Sequence, residues 1–192
     1  EVLVFHATGT GGKCMEALVE GGFISGVLDL TTTEWCDETV GGVLAAGPDR
    51  CSAAAIKGVP AVVSVGALDM VNFGPMDTVP QQFADRNLYP HNPTVTLMRT
   101  TVPENVAIAK NIARNVNKST GPVSFMLPLG GVSMIDAPGQ PFEGVEEDKA
   151  LFDTLKAELD TDKVEIIEVD AHINDDEFAL AAAKKLIELM NK

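Results

Sequence analysis

Apolar and polar positions fall into blocks along this chain, and their period alternates between strand-like and helix-like from one end to the other. Residues 2–6 open with the apolar run Val2-Leu-Val-Phe5 and end at His6, so they read as a strand. A glycine-rich turn at 7–12 and a helical stretch over 12–20 follow. Residues 27–30 read as the next strand. Pro48 suits the first turn of a helix running to residue 57, and Gly58 suits its end. Residues 59–65 are almost continuously apolar and β-branched, the pattern of a central strand covered on both faces. Thr101-Val-Pro-Glu104 has capping-box form, and the spacing of Val106, Ile108, Ala109 and Ile112 predicts a helix to about residue 118. Strands over 123–127 and 164–169 and helices over 146–159 and 175–190 complete the pattern.

Residues 66–93 interrupt it. They carry Pro75, Pro80, Pro90 and Pro93 and show no period, so they read as a long functional or partner-facing loop before an extended segment at 94–99. Parallel strands need crossover connections, so the alternation elsewhere predicts one α/β domain over residues 1–192. The expected architecture is three-layered, doubly wound and Rossmann-like, with a mainly parallel sheet and helices on both faces. A closed eight-stranded barrel is the weaker fit, because it needs roughly 250 residues.

Composition narrows the partners. With 14 Lys and Arg against 28 Asp and Glu, the formal charge is −14. Nucleic acid and anionic membrane surfaces are therefore unexpected partners, since their affinity comes from basic side chains displacing counterions. A small anion is still compatible, held locally by a helix N-terminus and one or two cations. Cys14, Cys36 and Cys51 show no CxxC pairing, which favours a reducing, cytoplasmic setting with free thiols over a structural zinc site. Glu1 leads straight into the apolar run, as expected for a piece of a longer chain. A homo-oligomer is compatible with this class of protein.

The candidate chemistry sits where strands end. His6-Ala-Thr-Gly-Thr-Gly-Gly-Lys13, Asp29-Leu-Thr-Thr-Thr-Glu34, Ser64-Val-Gly-Ala-Leu-Asp69, Leu129-Gly-Gly-Val-Ser133 and Asp170-Ala-His-Ile-Asn174 are all strand exits rich in glycine or polar groups, whereas the strand entries are plain. In a parallel sheet such exits share one edge, where α/β proteins bind ligands. Thr8, Gly9, Thr10, Gly11 and Gly12 suggest a phosphate- or carboxylate-binding turn, with a plain tight turn as the alternative. The sequence there matches neither a P-loop nor a full dinucleotide fingerprint. Asp29 stands where a ribose-binding acid would; Asp69 with Asn72 suits a divalent cation or a ribose, with helix or loop capping as the alternative; and Arg99 suits a carboxylate or phosphate partner, with a surface ion pair as the alternative. Asp170 and His172 form a candidate acid–base pair, with helix capping and a backbone-bonded histidine as the alternative. His6, ending an apolar run, reads as a buried, hydrogen-bonded histidine.

The motifs Val4-Phe-His-Ala-Thr-Gly-Thr-Gly-Gly12, Leu28-Asp-Leu-Thr-Thr-Thr-Glu-Trp35, Gly66-Ala-Leu-Asp-Met-Val-Asn-Phe-Gly74, Tyr89-x-His-Asn-Pro-Thr94, Leu97-Met-Arg-Thr100 and Asp170-Ala-His-Ile-Asn174 resemble the uncharacterised protein family 0261. That family includes the ATP-binding region of a plant virus-resistance protein. The resemblance implies a nucleotide-binding domain, with ATP and Mg²⁺ as the expected cofactors and a missing N-terminal half as an expected partner. The remaining expectations are an enzyme acting on a small carboxylate or phosphate metabolite, with Asp170 and His172 as its acid–base pair, and a protein-interaction module presenting residues 66–93.

Overall fold

The computed structural model describes all residues, Glu1–Lys192. In chain order the elements are α1 (Thr10–Glu20), β1 (Val27–Thr31), α2 (Glu34–Val40), α3 (Ala53–Lys57), β2 (Ala61–Gly66), β3 (Met70–Phe73), β4 (Leu88–Asn92), β5 (Val95–Arg99), α4 (Val102–Val116), β6 (Val123–Pro128), α5 (Val145–Glu158), β7 (Val164–Val169) and α6 (Asp176–Met190). The strands β1-β2-β6-β7 form a parallel sheet in that order. No helix is long and apolar enough to cross a membrane.

The central strands β2 and β6 are buried along their whole length, as their unbroken apolar sequences require. Alternate residues of each strand point to opposite faces, and each face has its own core. Ala61, Val63, Val65, Phe125 and Leu127 join α1, α4 and α5 through Val19, Ile108, Ile112, Leu151 and Leu155. Val62 and Met126 point the other way, to Phe178, Ala182 and Leu189 of α6. Helices thus cover both faces, as the alternation predicts, and the fold is α/β. The strand order runs in one direction, however, and the second face is closed by α6 folding back after the last strand. It is therefore the shared C-terminal edge of the strands that brings their exits together, without a reversal of strand order among them.

Three local expectations are corrected. Residues 2–6 are not a strand: Val2 and Val4 are 86% and 87% exposed, and His6 is exposed as well. An apolar run becomes a strand only where a neighbouring edge takes up its backbone N–H and C=O groups, and these residues pair with none. The helix read from Pro48 starts only at Ala53, because Cys51 takes a left-handed backbone (φ 71°) that helical residues do not adopt. Residues 66–93 are not a bare loop. They hold β3, two 3₁₀ turns and β4, and β5 pairs antiparallel between β3 and β4. Phe73 packs on Phe83 at 5.5 Å, tying the second of these turns to the sheet. The capping box at α4 forms as predicted, with the Thr101 N–H donating to Glu104 at 2.8 Å.

Candidate functional site

The glycine turn at the start of α1 is an anion cradle, and a carboxylate of the same chain fills it. The N–H groups of Gly9 and Gly12 donate to Glu34 Oε1 at 2.7 and 3.1 Å. Glu34 is fully buried in the first turn of α2, and its other oxygen accepts from Arg50 Nε. A Cβ at Gly12 would lie 2.5 Å from the same carboxylate, which explains the glycine there. Arg50 reaches on to Asp29, donating from Nη2 to Oδ1 at 2.6 Å and from Nη1 to Oδ2. Glu16 closes the cluster by accepting the Cys51 N–H at 2.6 Å, and burial lifts its carboxyl to about 7. Every oxygen of Asp29 and Glu34 therefore has a partner. Thr8 and Thr10 stay exposed at the rim of the turn, and Gly11 packs against the His6 carbonyl.

The open space lies a few residues away, at the strand exits. A cleft of about 400 Å³ is lined by Leu30 and Thr31 at the end of β1, Gly66 at the end of β2 with Ala67 and Met70 beyond it, Val132, Ser133 and Met134 after β6, and Ile173 and Asn174 after β7. All four parallel strands contribute. Ala67 has a left-handed backbone (φ 56°), held by donation of its N–H to the Val132 carbonyl at 2.8 Å. Non-glycine residues store strain in that region, and such strain concentrates at functional sites.

Beneath the cleft is a second buried cluster. Ser133 Oγ donates to Asp69 Oδ2 at 2.6 Å and accepts the Ile135 N–H at 3.2 Å. Asp69 is fully buried, its Oδ1 has no partner, and burial raises its carboxyl to about 6. Arg99, also buried, donates to Asp148 at 2.8 Å, Asp136 at 3.3 Å and the Gly144 carbonyl at 3.4 Å, while its Nε has no partner. Burial, with Asp136 close by, pushes the Asp148 carboxyl upward. Asp136 Oδ2 in turn accepts the Val132 N–H at 3.0 Å, so the cluster fixes the loop that carries Ser133.

His172 fixes that loop from the side. Its Nε2 meets the Ser133 carbonyl at 2.8 Å, and its Nδ1 accepts the Asn174 N–H at 3.1 Å. These two bonds call for the neutral imidazole with its proton on Nε2. Asp170 is exposed and no hydrogen bond joins it to the imidazole. The His172 backbone N–H goes to Asp175 Oδ2 instead, at 2.8 Å.

The structure thus divides the sequence-derived candidates. Thr8, Gly9, Thr10, Gly11, Gly12 and Asp29 gather around the Arg50 cluster. Asp69, Arg99 and His172 gather beneath and beside the cleft, and Asp170 stands apart. Sequence reasoning missed Arg50 and Glu34 as the occupants of the glycine turn, and missed Ser133 and Asn174 as the polar groups of the cleft wall. The latter two sit on strand exits that the positional argument already singles out. No local pattern marks Glu34 or Arg50, because their partners are 16 to 25 residues away.

Comparison with known proteins places this architecture in a family. The C-terminal domain described as "Uncharacterised protein family (UPF0261)" matches residues 1–190. A UPF0261 protein of Clostridium tetani is 61% identical over 192 residues, covering all of this chain and 48% of its own. The ToMV resistance protein Tm-1 of Solanum lycopersicum is 49% identical over 193 residues, covering all of this chain and 26% of its own. A UPF0261 protein of Rhizobium meliloti is 48% identical, again over all of this chain and 48% of its own. The chain spans about half the length of the bacterial relatives it matches and about a quarter of the tomato protein.

Proposed function

The chain belongs to the uncharacterised protein family UPF0261, and from that premise we propose that it binds a small-molecule ligand of the nucleotide class in the cleft at its strand exits. The observation that carries this reading is the cleft itself. It draws on all four parallel strands, and its volume of about 400 Å³ is in the range of ligand pockets. Its walls combine apolar side chains from Leu30, Met70, Val132, Met134 and Ile173 with a few polar groups from Thr31, Ser133 and Asn174. That mixture suits a ring system carrying hydroxyl or amino groups. The resemblance of the strand-exit motifs to a family with an ATP-binding member supports the nucleotide class.

The glycine turn of α1 has a different part in this reading. Its Gly9 and Gly12 amides already hold Glu34, so it shapes the fold next to the cleft. In this reading Mg²⁺ enters bound to the nucleotide phosphates. Catalysis by His172 gains no support, since both ring nitrogens are spent on backbone groups. Because the chain spans half of its bacterial relatives, the rest of the longer protein is proposed as the second wall of the site.

Calorimetry of the full-length protein with Mg-ATP tests the reading. The comparison variant is Asn174→Trp, which puts a large ring into the cleft from an exposed position. Saturable binding that weakens at least tenfold in the variant is expected. No binding to the wild type overturns the nucleotide reading, and equal binding to both proteins moves the site out of this cleft.

A further inference from the structure

We propose that Ser133 is a nucleophile with Asp69 as its general base, and that the cleft receives an uncharged carboxylic ester whose acyl group passes to the serine oxygen. This activity goes beyond the binding role above and needs no nucleotide.

The pair has the geometry that activates a serine. Ser133 lines the cleft, and its Oγ donates to Asp69 Oδ2 at 2.6 Å. A hydroxyl at that distance from a carboxylate can hand over its proton as it attacks. The Ile135 N–H takes one lone pair of Oγ at 3.2 Å and leaves the other for the attack. The serine is also held in place. His172 Nε2 and the Asp136 N–H both donate to its carbonyl, at 2.8 and 3.0 Å. Val132 before it is fixed on both sides, by Asp136 Oδ2 and by the Ala67 N–H.

Asp69 has the surroundings of a base. It is fully buried, and its Oδ1 has no partner. A carboxylate with so few donors holds a proton more firmly, and burial lifts it to about 6, near the value that suits a general base at neutral pH. The charged neighbours are Arg99, which favours the anion, and Asp136, which opposes it, with the buried Cys36 thiol close by. Met134 follows the serine on the cleft wall, and its N–H has no acceptor in the chain. The amide after a nucleophilic serine is a donor that hydrolases use to hold the oxyanion.

Charge sets the substrate class. None of the ten lining residues is charged, and the two buried arginines nearby are committed, Arg50 to Asp29 and Glu34, Arg99 to Asp136 and Asp148. A phosphoryl group in transfer needs free cations, so the chemistry here is acyl transfer. Leu30, Met70, Val132, Met134 and Ile173 suit an apolar acyl chain.

In the first step Oγ bonds to the ester carbonyl carbon, its proton moves to Asp69 Oδ2, and the carbonyl π electrons move to oxygen. The carbonyl then re-forms as the C–O bond to the alcohol breaks. The alcohol leaves with the proton from Asp69, and the acyl group stays on Oγ. Water next gives a proton to Asp69 as its oxygen bonds to the acyl carbon, and Oγ leaves and recovers that proton. The sum is ester and water to acid and alcohol, with nothing oxidised or reduced.

Treatment of the full-length protein, free of nucleotide, with an alkyl fluorophosphonate tests this, with the adduct mapped by peptide mass spectrometry. p-Nitrophenyl butyrate reports turnover. An adduct on Ser133 of the wild type is expected, forming faster as pH rises through about 6 and at a constant rate above it. Asp69→Asn is expected to slow labelling about a hundredfold or more, with a melting temperature at pH 8 close to that of the wild type. Butyrate turnover is expected to disappear in Ser133→Ala. No adduct on Ser133, a flat pH profile, equal labelling of Asp69→Asn, or equal turnover by Ser133→Ala and the wild type would each overturn the proposal. Such a failure leaves the nucleotide reading standing, and failure of Mg-ATP to bind leaves this one standing.

Discussion

Arg50 and Arg99 are both buried guanidiniums facing an excess of carboxylates, yet one cluster is closed and the other is left incomplete. Around Arg50, both oxygens of Asp29 and both of Glu34 are taken, the last by the guanidinium and two backbone amides. Around Arg99, one oxygen of Asp69 and the guanidinium Nε lack partners, and Asp148 stays partly open to water. The closed cluster locks α1, β1 and α2 together at a glycine turn. The incomplete one lies under an open cleft and holds the loop that carries Ser133. Buried polar groups are nearly always satisfied, so unmet valence beside open space leaves room there for a bound water or a ligand. A glycine turn at a helix N-terminus is not by itself a vacant site, because the protein can supply the anion.

Removing each arginine tests the contrast most severely. Arg50→Leu strips the partner from buried carboxylates and is expected to destabilise the domain by about 3–5 kcal/mol in urea unfolding. Arg99→Leu is expected to cost less, on the order of 1–3 kcal/mol, because its network is already incomplete and partly wet. A larger loss at Arg99 than at Arg50 would dissolve the comparison.

The glycine turn offers the next test. Gly11→Ala places a Cβ about 1.7 Å from the His6 carbonyl oxygen, so backbone must shift. A loss of roughly 1–3 kcal/mol is expected. Once corrected for the unfolded fraction, ligand affinity should be unchanged. An affinity loss without a stability loss would return the phosphate role to this turn.

A smaller effect follows from pH. Glu16 is raised to about 7, Asp69 and Asp37 to about 6, and Asp148 upward, each chiefly by burial. A carboxyl that holds its proton more firmly when folded stabilises the fold fully below its unfolded value, near 4, and loses that contribution as pH rises through its folded value. Urea midpoints should therefore fall as pH rises from about 4 to about 7. Asp69→Asn should remove the part of that slope between about pH 4 and pH 6, on the order of 1–3 kcal/mol. An unchanged slope would show that Asp69 is ionised throughout. At the small end, Asn174→Ala should move stability by less than about 0.5 kcal/mol, since its carboxamide holds nothing in the chain.

Much of this arrangement is legible in sequence, for reasons that particular residues show. Strand exits such as Leu129-Gly-Gly-Val-Ser133 announce the cleft edge, because parallel topology sends them all to one side. Thr101 and Glu104 announce the start of α4, because the capping contact is local. The strands within residues 66–93 are hidden because β4 is an exposed edge strand carrying Pro90, with no apolar alternation to betray it. The occupant of the glycine turn was hidden because Gly9 and Glu34 meet across 25 residues, and Asp29 and Arg50 across 21. Helix α2 was hidden because its buried face includes Glu34 and Asp37, acids that a hydrophobic pattern assigns to solvent.

Hydrogen exchange on the full-length protein, with and without Mg-ATP, tests the central claim most directly. Slowed exchange confined to peptides containing Thr31, Gly66–Met70, Val132–Met134 and Ile173–Asn174, with residues 7–13 unaltered, is the predicted result. Protection concentrated on residues 7–13, with the strand-exit peptides unchanged, would contradict the account and make the glycine turn the ligand site.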